Sequence, residues 1–259
     1  MLLSSEDFEQ GRCPDWAVRA YESFVGTLRD PAFPCYFGTQ AERQGYFRYG
    51  LVSSEQHDPY GRLPGDLREF VALSRAHPQH RHLYIVFFDR HGDLPGDEER
   101  FWELLQWLHD HDPAPWPDAI PTDTSDPGWE FCFDGDPMFV FPSIPGYQAR
   151  RSRRIGEAFA VCFQPRRIFA GVERGDPGGE AIRKDIYERV RSWDKVPPHP
   201  DLENLAYGDQ AMREWKQYVL PDRNTALHGS CPLHIAKRHD ARKFLTVRIR
   251  RSERGSGRE

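Results

Sequence analysis

Two groups of residues in this 259-residue chain have types and spacing suited to chemistry: thiols and imidazoles in restricted backbone settings, and arginines behind an aromatic stretch. Cys35 stands in Phe33-Pro34-Cys35-Tyr36-Phe37-Gly38, a thiol among rings. His199 is flanked by Pro198 and Pro200, which restrict the backbone and suit a side chain presented on a loop. Both can donate to a metal, the thiol as thiolate and the imidazole when neutral. Cys231, in Ser230-Cys231-Pro232-Leu233-His234, is a third candidate. The arginines follow Tyr147: Arg150, Arg151, Arg153 and Arg154, with Arg166 further on. A guanidinium fork matches a carboxylate, so Arg150, Arg153 and Arg166 are candidates for binding an acidic ligand. The alternative is a solvated basic loop paired with nearby acids. Glu130 follows Trp129, and a carboxylate in apolar surroundings needs a cationic partner. That partner is either a substrate guanidinium or an arginine of the chain itself. Glu130 and Tyr147 are the candidate catalytic residues.

These residues need elements to hold them. Phe131 and Phe133 alternate with Cys132 and Asp134, the period of a half-buried strand. Asp134-Gly135-Asp136-Pro137 supplies a turn, and Met138 to Phe141 reads as a second strand buried on both faces. Asp15 to Leu28 has helical apolar spacing. Phe33 to Gly38 reads as a short aromatic strand, and residues 45–52 as another. Helices are expected over 65–75, 97–111 and 181–193, a short one over 212–220, and strands over 83–89 and 158–163. His77, His80 and His82 lie close together, but Pro78 and Arg81 interrupt any face that would converge them on a metal. Strands and helices mix without a regular βαβ rhythm. The expectation is a single α+β domain, a mixed and mainly antiparallel aromatic-rich sheet flanked by helices. The catalytic domain is placed at 1–225, with a basic, partly disordered tail over 226–259.

Composition narrows the class. The chain is 38% hydrophobic and 13% aromatic, enough for a core rich in Phe, Tyr and Trp. A net charge of -5 gives no reason to expect nucleic acid or an anionic membrane. No apolar run is long enough to span a bilayer, and the N-terminus lacks a signal-peptide core, so a cytoplasmic location is expected. The five cysteines are scattered with no Cys-x-x-Cys pair, which indicates neither a disulfide framework nor a structural zinc site. Cys132 and Cys162 read as small core residues. Phosphate-cradling loops, nucleophile elbows and His-Glu-x-x-His are absent. A flat hydrophobic cofactor with two carboxylates would use rings, cysteine and arginines together, and haem fits that description.

Several motifs in order strengthen that reading. Phe33 to Gly38, then Trp129 to Phe133 with Gly135 and Pro137, then Tyr147, Arg150, Ser152 and Arg153 form the first half. Phe163-Gln164-Pro165-Arg166, His199-Pro200, Tyr207-Gly208-Asp209 and Glu214-Trp215-Lys216-Gln217-Tyr218 complete the set. Together they resemble the YqcI/YcgG family over roughly residues 15–220. The resemblance implies a haem-dependent N-oxygenase of natural-product biosynthesis. Such enzymes hydroxylate a guanidine nitrogen, of free arginine or of a cyclic guanidine. It implies haem b, dioxygen, an external electron donor and a small guanidine or amino-acid substrate, with Cys35 or His199 on the iron. A thiolate trans to an open iron position favours O–O cleavage. A haem-binding sensor or carrier is the alternative. A Cys35–His199 hydrolase or transferase is a third reading.

Overall fold

The computed structural model describes residues 2–90, 94–172, 178–203 and 213–236. The Tyr207-Gly208-Asp209 motif, Met212 and the tail from residue 237 lie outside them. The helices α1 (Ser5–Glu9), α2 (Asp15–Leu28) and α3 (Tyr36–Arg43) precede strand β1 (Phe47–Val52). Next come α4 (Leu63–Ala76), β2 (Leu83–Phe88) and α5 (Leu94–His111). The hairpin β3 (Phe131–Phe133) and β4 (Asp136–Ser143) leads to β5 (Ala160–Pro165). 3-10 turns flank β5 at Arg151–Arg153 and Arg166–Phe169, and two more helices, α6 (Gly179–Trp193) and α7 (Pro200–Glu203), precede another at Glu214–Gln217. The architecture is α+β.

The strands form one sheet in the order β1-β2-β5-β4-β3. β1 and β2 are parallel, joined across α4, and every other pair is antiparallel. β2 is buried at every position. Its alternate residues serve two cores. Tyr84, Val86 and Phe88 pack with α4 and α5, while Leu83, Ile85 and Phe87 pack with α1 and α2. A strand covered on both faces needs no polar alternation, hence its continuous apolar run. β4 divides likewise: Met138 and Val140 join the α4–α5 core, and Phe141 the other. Phe139 is half-buried and touches both.

The expected strand at 33–38 is a helix start instead. Pro34 keeps residue 33 out of helical geometry, and the Cys35 side chain then caps α3 by accepting the Gly38 N–H at 3.4 Å. The following Gln40-Ala41-Glu42-Arg43 favours helix. The local run of rings looked like a strand because Tyr36 and Phe37 occupy the first helical turn. The Thr39 hydroxyl donates to the Leu28 carbonyl at 2.7 Å and ties α3 to α2.

The hairpin turn is shorter than its four-residue sequence signal. Asp134 and Gly135 both have positive φ, 51° and 71°, the signature of a two-residue loop whose twist matches the strands. Asp136 and Pro137 therefore belong to β4. The stretch expected as a short helix at 212–220 contracts to the 3-10 turn, stopped by Pro221. From there the chain returns over the α4–α5 face. Its packing continues beyond residue 225, since Cys231 and Leu233 are buried in that core. No described helix is long and apolar enough to cross a membrane.

Gly156 fixes where the loop before β5 meets α2. Its φ is +83°, and a Cβ there would stand 2.8 Å from the Phe24 backbone nitrogen. Gly156→Ala should destabilise the fold by about 1–3 kcal/mol through strain and displacement of α2. Urea unfolding should show a lower midpoint with unchanged slope; an unaltered midpoint would refute this account of the contact.

Candidate functional site

A cleft opens on the α2–α3 side of the sheet, between the N-terminus of α3 and the face of α6. It has two lobes, of about 310 Å³ and 260 Å³, which share Cys35, Phe47, Gln164, Phe169, Arg183 and Ile186. Joined, they fall within the roughly 300–1,000 Å³ usual for small-molecule and cofactor sites. Phe33, Phe139 and Phe141 wall the larger lobe. Phe37 and Arg81 wall the smaller one. The helical stripe Ile182, Ile186 and Val190 lines this space rather than closing a core.

Cys35 sits where the lobes meet. Arg189 of α6 fastens the segment that presents it, donating to the carbonyls of Pro31 (2.8 Å), Phe33 (2.6 Å) and Pro34 (3.2 Å). Trp193 packs edge-on against Phe33 at 5.8 Å. Burial pushes the Cys35 thiol above its ordinary pKa, while the N–H groups of Gly38 and Phe37 and the charges of Arg81 and Arg153 pull it back. The thiol is therefore neutral without a ligand, but its surroundings are set to receive a thiolate once a metal displaces the proton. Burial holds Cys231 at about 11 with less opposing help. Cys231 belongs to the α4–α5 core, across the sheet from Cys35.

The expected arginines divide by surroundings. Arg153 lines the larger lobe, with its guanidinium 4.6 Å from the centre of the Phe141 ring. Burial, with the like charge of Arg150 behind it, lowers its pKa to about 10. Arg150 is fully buried outside the cleft wall. Its guanidinium donates to the carbonyls of Pro221 (3.0 Å) and Pro197 (3.5 Å) and to Asn224 Oδ1 (2.8 Å). It braces the C-terminal segment. Arg166 bridges two buried carboxylates, Glu130 at 2.7 Å and Glu214. Tyr218 donates to Glu214 at 2.8 Å and accepts the Phe131 N–H at 3.1 Å. Glu130 thus has an arginine of the chain as its partner, and neither it nor Arg166 walls the described cleft.

Tyr147 is also elsewhere. It is fully buried in the α4–α5 core and donates to Glu98 Oε1 at 2.9 Å, joining α5 to the loop after β4. Burial, then the Glu98 charge, raises its pKa far beyond the ordinary phenol range. His199 is buried behind the wall, where Nδ1 accepts the Asp201 N–H at 3.3 Å. Burial and then Arg150 lower its pKa, so the ring is held neutral. Three residues on, Leu202 reaches the cleft, but His199 does not line it. The imidazoles of the 77–82 loop stack instead of converging: His80 lies 4.1 Å from the Tyr46 ring. Among the described residues no cluster of three or more His, Cys, Asp and Glu side chains could hold a metal ion. Arg81, Gln164 and Arg183 were not singled out by the sequence reading. Gln164 stands in a quoted motif, but nothing in spacing marks Arg81 or Arg183.

The cleft residues fit a haem. They offer one thiol at a helix N-terminus, apolar and aromatic walls, and cations for acidic side chains. Cys35 would hold the iron, and the rings would flank the macrocycle.

The YqcI/YcgG family profile matches residues 23–234. The chain belongs to that family. It is 34% identical to "Uncharacterized protein YcgG" of Bacillus subtilis (strain 168), with 88% of this chain and 92% of the relative covered. It is 31% identical to "Putative N(omega)-hydroxy-L-arginine synthase DcsA" of Streptomyces lavendulae, with 84% and 83% covered. "Uncharacterized protein YqcI" of Bacillus subtilis (strain 168) is 32% identical, with 89% and 93% covered. No solved structure matches the chain.

Two outcomes test the electrostatics. In the metal-free protein, iodoacetamide labelling of Cys35 should rise with pH through a midpoint above the ordinary 9.0, because burial disfavours the thiolate. Fast labelling at neutral pH, absent in Cys35→Ala, would contradict the thiol's environment. Arg166→Ala should cost roughly 3–5 kcal/mol in urea unfolding, since it strands two buried carboxylates. A loss under 1 kcal/mol would mean that water reaches both acids.

Proposed function

We propose that this chain is a haem-dependent N-oxygenase that hydroxylates a guanidine nitrogen, with L-arginine as substrate, in a natural-product pathway. The observation that carries it is Cys35: a thiol at a helix N-terminus, aimed into an apolar aromatic cleft lined by arginines. The similarity to the Streptomyces lavendulae relative supports the substrate, through that protein's name. Bound haem supplies iron that activates dioxygen, and electrons come from a separate donor. The chain's part is to place and insulate. The α3 N–H groups stabilise sulfur charge at Cys35. Phe33, Phe47, Phe139, Phe141 and Phe169 keep water from the reacting centre, which strengthens electrostatics there. Arg189 holds the Cys35 loop against α6, so the sulfur does not shift as a ligand enters.

One observation favours a second reading, a non-catalytic haem-binding sensor or carrier. The described cleft wall contains arginines and no carboxylate to seat a substrate guanidinium.

Reconstitution with haem tests both. A Soret band should form and be lost or shifted in Cys35→Ala, while His199→Ala keeps the wild-type spectrum. Ferrous protein should bind carbon monoxide. With dioxygen and a reductant it should convert L-arginine to N-omega-hydroxy-L-arginine, read by mass spectrometry. Haem binding without arginine turnover, and with the iron closed to carbon monoxide, selects the sensor. A colourless protein ends both readings.

A further inference from the structure

Three arginines line the cleft: Arg153 and Arg183 in the larger lobe, and Arg183 again with Arg81 in the smaller. Among the described residues no aspartate or glutamate lines either lobe. This is unexpected in a chain whose net charge is -5. The two acids packed against the turn that carries Arg153 are already engaged by its backbone. Asp194 accepts the Ser152 N–H (2.6 Å) and hydroxyl (2.8 Å). Asp222 accepts the N–H groups of Gln148 (2.7 Å), Ala149 (3.1 Å) and Arg150 (2.8 Å).

Arg153 makes one hydrogen bond from its guanidinium, to the Gln217 carbonyl at 3.2 Å. Arg183 likewise makes one, to the Val172 carbonyl at 3.0 Å. Each guanidinium has five N–H donors. Neither has a carboxylate within ion-pairing distance among the described residues. Cations in an apolar wall with spare donors and no carboxylate in contact among the described residues are costly, and an anionic ligand relieves that cost. Arg166 shows the contrast, with two carboxylates of the chain closing on its guanidinium.

We infer that Arg153, from the turn after β4, and Arg183, from α6, form a two-guanidinium clamp for a flat, apolar ligand bearing two carboxylates. The inference deepens the haem reading and rests on it for the ligand's identity. It gives α6 a function: its Ile186 and Val190 meet the ligand's apolar body while Arg183, on the same helix, meets an acid. Of the three arginines that sequence reading nominated, it retains Arg153 and leaves Arg150 and Arg166 as internal braces.

The test measures affinity by absorbance for haem, haem dimethyl ester and iron-free protoporphyrin IX. Wild-type protein, Arg153→Gln, Arg183→Gln and the double variant are compared, with urea unfolding to confirm that each is folded. The dimethyl ester keeps the iron and removes both negative charges. Wild-type protein should bind haem about a hundredfold more tightly than the ester, roughly tenfold per charge-assisted pair. Each single variant should lose about tenfold toward haem and little toward the ester, and the double variant should bind the two alike. Protoporphyrin IX should show the same dependence on the arginines. Equal affinity of wild-type protein for haem and ester overturns the clamp while the haem reading stands. A clamp pattern with protoporphyrin but no iron ligation keeps the clamp and removes the haem reading. No binding of any of the three removes both.

Discussion

Charge held in an apolar cleft is the constraint on which this structure turns. A thiol at the α3 N-terminus and guanidinium groups in aromatic walls are each costly in their ionised forms when water is excluded. Burial raises the Cys35 pKa and lowers that of Arg153 to about 10. Among the described residues Arg153 has no carboxylate in ion-pairing contact, whereas Arg166 has two. The molecule retains ionisable groups where burial disfavours their charged forms, a pattern common at functional sites.

The scaffold is arranged to make that possible. A sheet covered on both faces yields two cores of different character. The α4–α5 core is braced by buried polar networks, including Glu130–Arg166–Glu214–Tyr218 and Tyr147–Glu98. The opposite core is closed under α1 and α2 but opens toward α6. There the helix stands off the sheet, and its apolar stripe is left half-buried. Three Arg189 bonds tie the loop that carries Cys35 to α6. A left-handed turn at Gly156 sets the loop before the central strand β5 against α2, and a two-residue loop at Asp134-Gly135 closes the hairpin at the β3 edge.

Much of the fold was legible in the chain. The α2 helix, the β2 strand and the β3–β4 hairpin follow from periodicity and turn chemistry, because each is decided by local spacing. The stretch 33–38 was misread for a local reason. Aromatic density signals strand, but Pro34 and a capping sulfur start a helix there. Residue types pointed to Cys35 and Arg153, and the structure places both in one cleft. The same types in Arg150, Arg166, Glu130 and Tyr147 looked equivalent, yet these side chains are spent on bracing the chain.

The sequence by itself determined most of the longer elements, the aromatic character of the cores and the family. It also supplied more arginine and carboxylate than a surface loop needs. Only the tertiary structure decided which of those charges neutralise one another. Pairing depends on which strand ends and helix faces meet, and those contacts join residues far apart in the chain. Arg166 reaches Glu130 and Glu214 because β5 ends beside the hairpin and the C-terminal segment. Among the described residues Arg153 and Arg183 make no ion pair with an acid, and spacing along a single chain carries no record of the cleft that they line.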